Sequence, residues 1–187
     1  MALALVLAAV PAAAEWQIKP SLGVEFGGST TFLELEPGVG GHKAALGISG
    51  LLIGEIFGVE GDFGYVPGYF TGDGSNVSGS HVSSLTGSVV IALPRHMTRY
   101  TLRPYFVGGG GLLHARANLY NNIEAISATL PAMDLGGGVT GFLSKRLGIN
   151  WDARYIRSVG EGKIRGQSIA PEQLSFWRVS MGLAIRL

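Results

Sequence analysis

From Phe176 onward the sequence alternates without a break. Trp177, Val179, Met181, Leu183, Ile185 and Leu187 make one series; Phe176, Arg178, Ser180, Gly182, Ala184 and Arg186 make the other. Successive side chains of a strand point to opposite faces, so one face here is wholly apolar and the other is largely small, polar or cationic. A helix, with its repeat of about 3.6 residues, does not sort residues this way. The segment that starts at Trp16 has the same form, with Trp16, Ile18, Pro20, Leu22, Val24 and Phe26 set against Gln17, Lys19, Ser21, Gly23, Glu25 and Gly27. Both runs reach the length of about 9 to 11 residues with which a tilted strand crosses a bilayer.

Six further strands are predicted between these two: Lys43 to Ile53, Ile56 to Phe70, Val82 to Leu93, Tyr100 to Ala115, Leu130 to Leu143, and Leu147 to Ser158. In the fourth strand, Leu85, Val89, Ile91 and Leu93 face one way and Ser84, Thr86 and Ser88 the other. The total is even, as bacterial single-chain membrane barrels require. Short links (Gly54-Glu55, Pro94 to Arg99, Ser144 to Arg146) alternate with long ones (Gly28 to His42, Thr71 to His81, Arg116 to Thr129, Val159 to Glu172). Short periplasmic turns and longer extracellular loops have this asymmetry, which puts both termini on the periplasmic side. The tract Gly72-Asp73-Gly74-Ser75-Asn76 is typical turn chemistry. The expected fold is all-β: an eight-stranded antiparallel up-and-down transmembrane β-barrel over residues 15–187.

This assignment gives each face a role. Trp16, Phe57 and Tyr100 would form an aromatic girdle at the lower rim, and Phe26, Tyr69 and Trp177 one at the upper rim. The inward face would carry Glu25, Glu60, Asp62, Asp134 and Asp152 opposite Lys19, Arg103, Arg154, Arg178 and Arg186. Isolated charges in so narrow a space are costly, so they are expected to pair or stay hydrated. The first and last strands must be neighbours in a closed barrel, so Glu25 should face Arg178. Glu60 and Asp62 should lie level with Arg103, Asp152 and Arg154. Eight strands leave an interior that side chains can fill. With Tyr105 these charges would therefore plug the lumen, although simple interior packing is the default account of each of them.

The N-terminus adds an expected destination. Ala2 to Val10 is an unbroken apolar run, followed by Pro11 and the small residues Ala12, Ala13 and Ala14 ahead of Glu15. This reads as a signal peptide over residues 1–14 cleaved after Ala14, although no Lys or Arg precedes the apolar run. The run is shorter than the roughly 20 residues of a transmembrane helix. A buried N-terminal helix is the alternative, but no capping or charged residue bounds one.

Composition excludes several classes. With 47% hydrophobic and 14% charged residues among 187, the chain is not a disordered one. Its mean hydropathy is +0.32 although no long apolar run follows the first, as expected when apolar residues occupy every second position. A net charge of +1 gives no basic excess for nucleic acid, so no nucleic-acid partner is expected. Without cysteine there is neither a disulfide framework nor a thiolate metal site.

Some stretches imitate chemistry. Gly136 to Gly141 spells the GxGxxG of a dinucleotide site, but the strand alternation runs on through Phe142 and Leu143 where a helix should begin. Gly108 to Gly111 lacks the Lys-Ser/Thr ending of a phosphate loop. Glycine in a tightly curved barrel strand is expected to relieve crowding instead. His42, His81 and His114 fall near the extracellular rim, where a surface lipid hydrolase would keep its base. Ser29, Ser80 or Ser83 could be its nucleophile and Glu34 or Glu36 its orienting carboxylate. No spacing among them is diagnostic, because triads are recognised by geometry. No catalytic residue, metal ligand or cofactor is assigned.

The stretches FGVEGDFGYVPGYF (Phe57 to Phe70), RPYFVGGGGLL (Arg103 to Leu113), LGINWDARYIRS (Leu147 to Ser158) and FWRVSMGLAIRL (Phe176 to Leu187) resemble the bacterial outer-membrane β-barrel domain family, relatives of the OmpA transmembrane domain and of OmpX. The resemblance covers nearly all of the chain after Ala14 and rests on turn glycines together with the inward pairs Glu60/Asp62 and Asp152/Arg154. It implies residence in the outer membrane, lipid contact, insertion by the barrel-assembly machinery and no catalytic residues. Family members usually end in Phe, whereas this chain ends in Leu187, so insertion would be less efficient or would draw on another aromatic such as Trp177. The expected function is a structural or surface-interaction barrel with a charge-plugged lumen and exposed loops. A narrow pore for water or small solutes is the alternative, and a surface lipid hydrolase a more distant one. A soluble ligand-binding barrel would put its apolar face inward.

Overall fold

The computed structural model describes residues 14–30, 41–70, 77–98, 102–119, 125–159, 163–164, 167–168 and 174–187. Eight long strands form the wall: β1 (Glu15–Thr30), β2 (Lys43–Ile53), β3 (Phe57–Pro67), β4 (Val77–Ala92), β5 (Leu102–Leu119), β6 (Ala125–Phe142), β7 (Leu147–Ser158) and β8 (Leu174–Arg186). Each pairs antiparallel with the next in sequence, and β1 pairs with β8, closing an up-and-down barrel. Closure leaves no open edge among the eight. Two-residue pieces, Lys163–Ile164 and Gln167–Ser168, add a small ladder beside β6 through Thr129 and Lys163.

The alternation sets the faces as expected. Trp16, Leu22, Leu46, Phe63, Leu85, Phe106, Leu135, Trp151 and Met181 all point away from the barrel axis and are exposed, Phe106 to 75%. Soluble monomers rarely show a contiguous apolar patch above about 300–600 Å². Here such residues ring the whole wall, so the outer surface calls for apolar surroundings. The interior holds Lys19, Glu25, Glu60, Asp62, Asp134, Asp152, Arg154 and Arg178, each at most 8% exposed. This arrangement is the inverse of a soluble ligand-binding barrel and overturns that reading.

Several strand ends depart from the expected bounds. β5 runs to Leu119 and β6 starts at Ala125, so much of the predicted third long loop is a continued ladder, with Arg116 opposite Ser127 and Asn118 opposite Ala125. β4 starts at Val77 and β1 extends to Thr30. In these stretches Ala, Ser, Asn and Gly blur the apolar period, while main-chain pairing with the neighbouring strand carries the ladder onward. β3 stops at Pro67 instead of Phe70, because Gly68 adopts φ +66° and turns the chain. Gly27 (φ +63°) likewise marks the irregularity between Phe26 and Ser29 where β1 meets β8.

Candidate functional site

The interior is the candidate site, and its contacts follow from register. Glu60 on β3 accepts from both Lys19 on β1 and Arg154 on β7, so one carboxylate joins opposite walls. Arg154 also donates through Nε to Asp152 at 2.6 Å and through Nη1 to Asp134 at 3.4 Å. Ser88 on β4 donates to both Asp134 oxygens at 3.0 Å. The Tyr105 hydroxyl donates to Asp152 at 2.6 Å, and the Lys19 ammonium lies 5.0 Å from the centre of the Tyr105 ring. Thr140 donates to Asn150 at 2.7 Å. Arg178 on β8 crosses to Asp62 on β3 and also reaches the Ser84 hydroxyl. Side chains from β1, β3, β4, β5, β6, β7 and β8 thus meet in one buried layer.

Glycine makes room for these crossings. A Cβ on Gly64 would meet the Arg178 guanidinium, and one on Gly138 would lie 2.6 Å from the Tyr105 hydroxyl. Both glycines are on the inward face, opposite long side chains that span the lumen.

An apolar layer lies above the charges, toward the end with the longer loops. Phe70, Leu113, Leu130, Ile156, Leu174 and Phe176 are each buried to within 1% of complete and belong to one cluster. Tyr69 is part of it, 5.7 Å from the Phe176 ring and 4.9 Å from that of Phe70. The turn at Gly68 tips Tyr69 and Phe70 over the barrel mouth, and the Ser80 hydroxyl accepts the Phe70 main-chain N–H at 2.9 Å. A smaller apolar cluster, including Leu51, Val90 and Val107, lies below the charges together with Tyr105.

The sequence-predicted residues divide accordingly. Lys19, Glu60, Asp62, Asp134, Asp152, Arg154 and Arg178 meet in the charged layer. Glu25 and Arg178 are direct cross-strand partners in register. Their expected mutual bridge gives way to the bridge between Arg178 and Asp62, because the long guanidinium reaches across the lumen over Gly64. No hydrogen bond reaches Glu25 Oε2.

Arg103 and Arg186 are not level with this layer. Arg103 donates to the main-chain carbonyls of Gly54, Glu55 and Leu93 at the short-turn end, and Arg186 bridges to Glu15 at the rim. Trp16, Phe57 and Trp177 lie exposed on the outer wall at its two ends, and Phe26 is half-buried there, stacked on His42. Tyr69 corrects its expected place in the upper girdle: it is 2% exposed and lies inside the barrel. Tyr100 and the whole of residues 1–13 lie outside the described residues.

The interior apolar residues were missed as a functional layer. Their signal is parity, since Val66, Val82, Leu113, Leu130, Ile156 and Phe176 fall in the same phase of their strands as the buried charged and polar side chains.

Of the rim groups proposed for hydrolysis, His81 and His114 are brought together with ring centres 6.5 Å apart, and Ser83 is the cross-strand partner of His114. His81 packs against Tyr65 with ring centres 5.6 Å apart, and His114 Nδ1 is 2.9 Å from the Thr129 hydroxyl. Glu34 and Glu36 lie outside the described residues. Among the described residues no group of three His, Asp or Glu side chains is arranged to hold a metal ion.

No protein-family model matches the chain, and no curated protein matches it in sequence. Solved structures do match it along nearly its whole length. Neisserial surface protein A is similar with a TM-score of 0.65 at 13% identity, over 93% of this chain and 99% of that one. The outer membrane protein OprG from Pseudomonas aeruginosa matches with a TM-score of 0.59 at 13% identity, over 94% and 96%. The N-terminal β-barrel domain of OprF from the same organism matches with a TM-score of 0.54 at 12% identity, over 92% and 97%. The fold is that of bacterial outer-membrane barrels.

Proposed function

We propose that the protein is an integral outer-membrane barrel whose lumen is closed by its own side chains and whose activity lies at the extracellular end, in a structural or surface-interaction role. One observation carries this reading: Glu60 is bonded at once to Lys19 and Arg154 from other walls, inside a layer of buried charges. The apolar layer of Phe70, Phe176 and Leu130 lies across the same lumen and gives a second barrier to water. The fold shared with OprG, the OprF barrel domain and the Neisserial surface protein supports an outer-membrane address, and the apolar outer wall supports lipid contact. The narrow-pore alternative needs a hydrated lumen, whereas the buried acids and bases here are bonded to one another. Export through an N-terminal signal and insertion by the barrel-assembly machinery belong to the same proposal.

The chain has no cysteine, so orientation can be tested by introducing one. Ser127→Cys, exposed near the start of β6, should react with a membrane-impermeant maleimide on intact cells. Lys145→Cys, in a short turn, should react only after the outer membrane is opened. The opposite pattern would invert the topology, and recovery of the protein in the soluble periplasm would end the membrane reading.

A further inference from the structure

The short-turn end of the barrel contains a vestibule of about 500 Å³. Among the described residues its lining includes four cations, Arg95, Arg103, Lys145 and Arg186, and no acid. They come from separate parts of the fold: the turn after β4, the start of β5, the turn after β6 and the end of β8. Thr98 and Ser144 add hydroxyls to the lining.

Arg95, Arg103 and Arg186 are held by side-chain contacts, and Lys145 by its turn. Arg186 lies with its guanidinium carbon 3.9 Å from the centre of the Phe142 ring and donates to the Lys145 carbonyl at 3.0 Å. The Ser144 hydroxyl accepts from the main-chain N–H groups of Arg146 and Leu147 at 3.3 and 3.0 Å, which fixes the turn that carries Lys145. The carboxylate of Glu15 lies 2.6 Å from Arg95 and 2.6 Å from Arg186, so one acid is shared between two guanidiniums. Arg103, only 7% exposed, makes its hydrogen bonds to main-chain carbonyls, and no carboxylate is bonded to it among the described residues. A buried cation solvated by neutral dipoles at an open cavity keeps a field that an anion can share with the nearby carboxylates of Glu15 and Glu55, the latter accepting the Arg95 main-chain N–H at 2.9 Å.

We propose that this vestibule binds a phosphate group. Cations brought to one cavity from four parts of the fold suit an anion with three or four oxygens better than a flat carboxylate, and arginine is well shaped for such oxyanions. Phe142 and Leu143 line the same cavity, so the phosphate could be free or could be carried by an amphiphile. The geometry is independent of the closed-lumen reading, which only makes the vestibule a blind one.

The test uses the full chain folded in phosphate-free detergent. Inorganic phosphate and, separately, dihexanoyl phosphatidic acid are titrated while calorimetry and amide chemical shifts are followed. Saturable binding of inorganic phosphate supports a free-phosphate site, and saturable binding of the phosphatidic acid alone supports a lipid headgroup. In either case Arg95→Gln with Lys145→Gln should weaken binding at least tenfold, and Lys145→Gln alone severalfold. Arg116→Gln, at the opposite end of the barrel, should leave it unchanged. Both substituted side chains in the double variant belong to exposed turns, and heat-modifiable gel migration verifies that the barrel has formed. Absence of saturable binding of both probes, or equal affinity in the double variant, overturns the proposal. Maleimide labelling of cells is unaffected by that result, so the two readings fail separately.

Discussion

Two neighbouring layers inside the barrel are alike in burial and opposite in chemistry. In the charged layer, Glu60, Arg154, Asp152, Asp134 and Lys19 hold one another by directed bonds. In the layer above, Phe70, Phe176, Leu113 and Leu130 fill space by shape alone. Each excludes water, but they should fail differently. Removing one member of the charged layer strands its partners in a poorly hydrated space, whereas removing an apolar member leaves a void that neighbours can partly fill.

The largest expected effect is Glu60→Ala, which leaves both Lys19 and Arg154 without their shared acceptor. It should cost about 3–5 kcal/mol in urea unfolding of the folded chain in lipid vesicles. Leu130→Ala in the apolar layer should cost about 2–4 kcal/mol and leave the charged contacts in place, as read by the same unfolding curve. If Leu130→Ala proved the more damaging, the charged layer would be incidental to stability.

Gly64→Val should cost about 1–3 kcal/mol, because the new side chain takes the space through which Arg178 reaches Asp62. Arg178→Glu sharpens the same point. The double variant Arg178→Glu with Asp62→Arg should recover part of the loss, with a coupling of about 0.5–3 kcal/mol, whereas adding Glu25→Arg instead should recover little. Rescue through Glu25 alone would show that register, not reach, chooses the partner. The smallest effect belongs to Tyr105→Phe, about 1–2 kcal/mol, from the loss of its hydrogen bond to Asp152.

The contrast between the Glu25 and Asp62 partners marks how far the sequence could be read. Alternation in Trp16 to Gly27 and Phe176 to Leu187 was enough for the strands, their faces and the neighbourhood of β1 and β8, because a period of two is local information. Register followed from closure, and it does set Glu25 opposite Arg178. The choice of ion partner was not legible, since it depends on which long side chain finds an open path across the lumen, and Gly64 provides that path to Arg178. Tyr69 was misplaced for a related reason. A single left-handed glycine, Gly68, turns the chain at the end of β3, and Tyr69 moves from the expected outer girdle to the interior. Arg103 and Arg186 shared the inward parity of the charged layer, but their depth along the strand put them in the vestibule instead.

Closure of the lumen is the central claim, and planar-bilayer conductance of the folded, purified chain tests it most directly. The two layers predict a quiet membrane with no steady open state, and Glu60→Ala with Leu130→Ala should admit current where the native chain does not. Uniform, long-lived channels formed by the native chain would contradict the account.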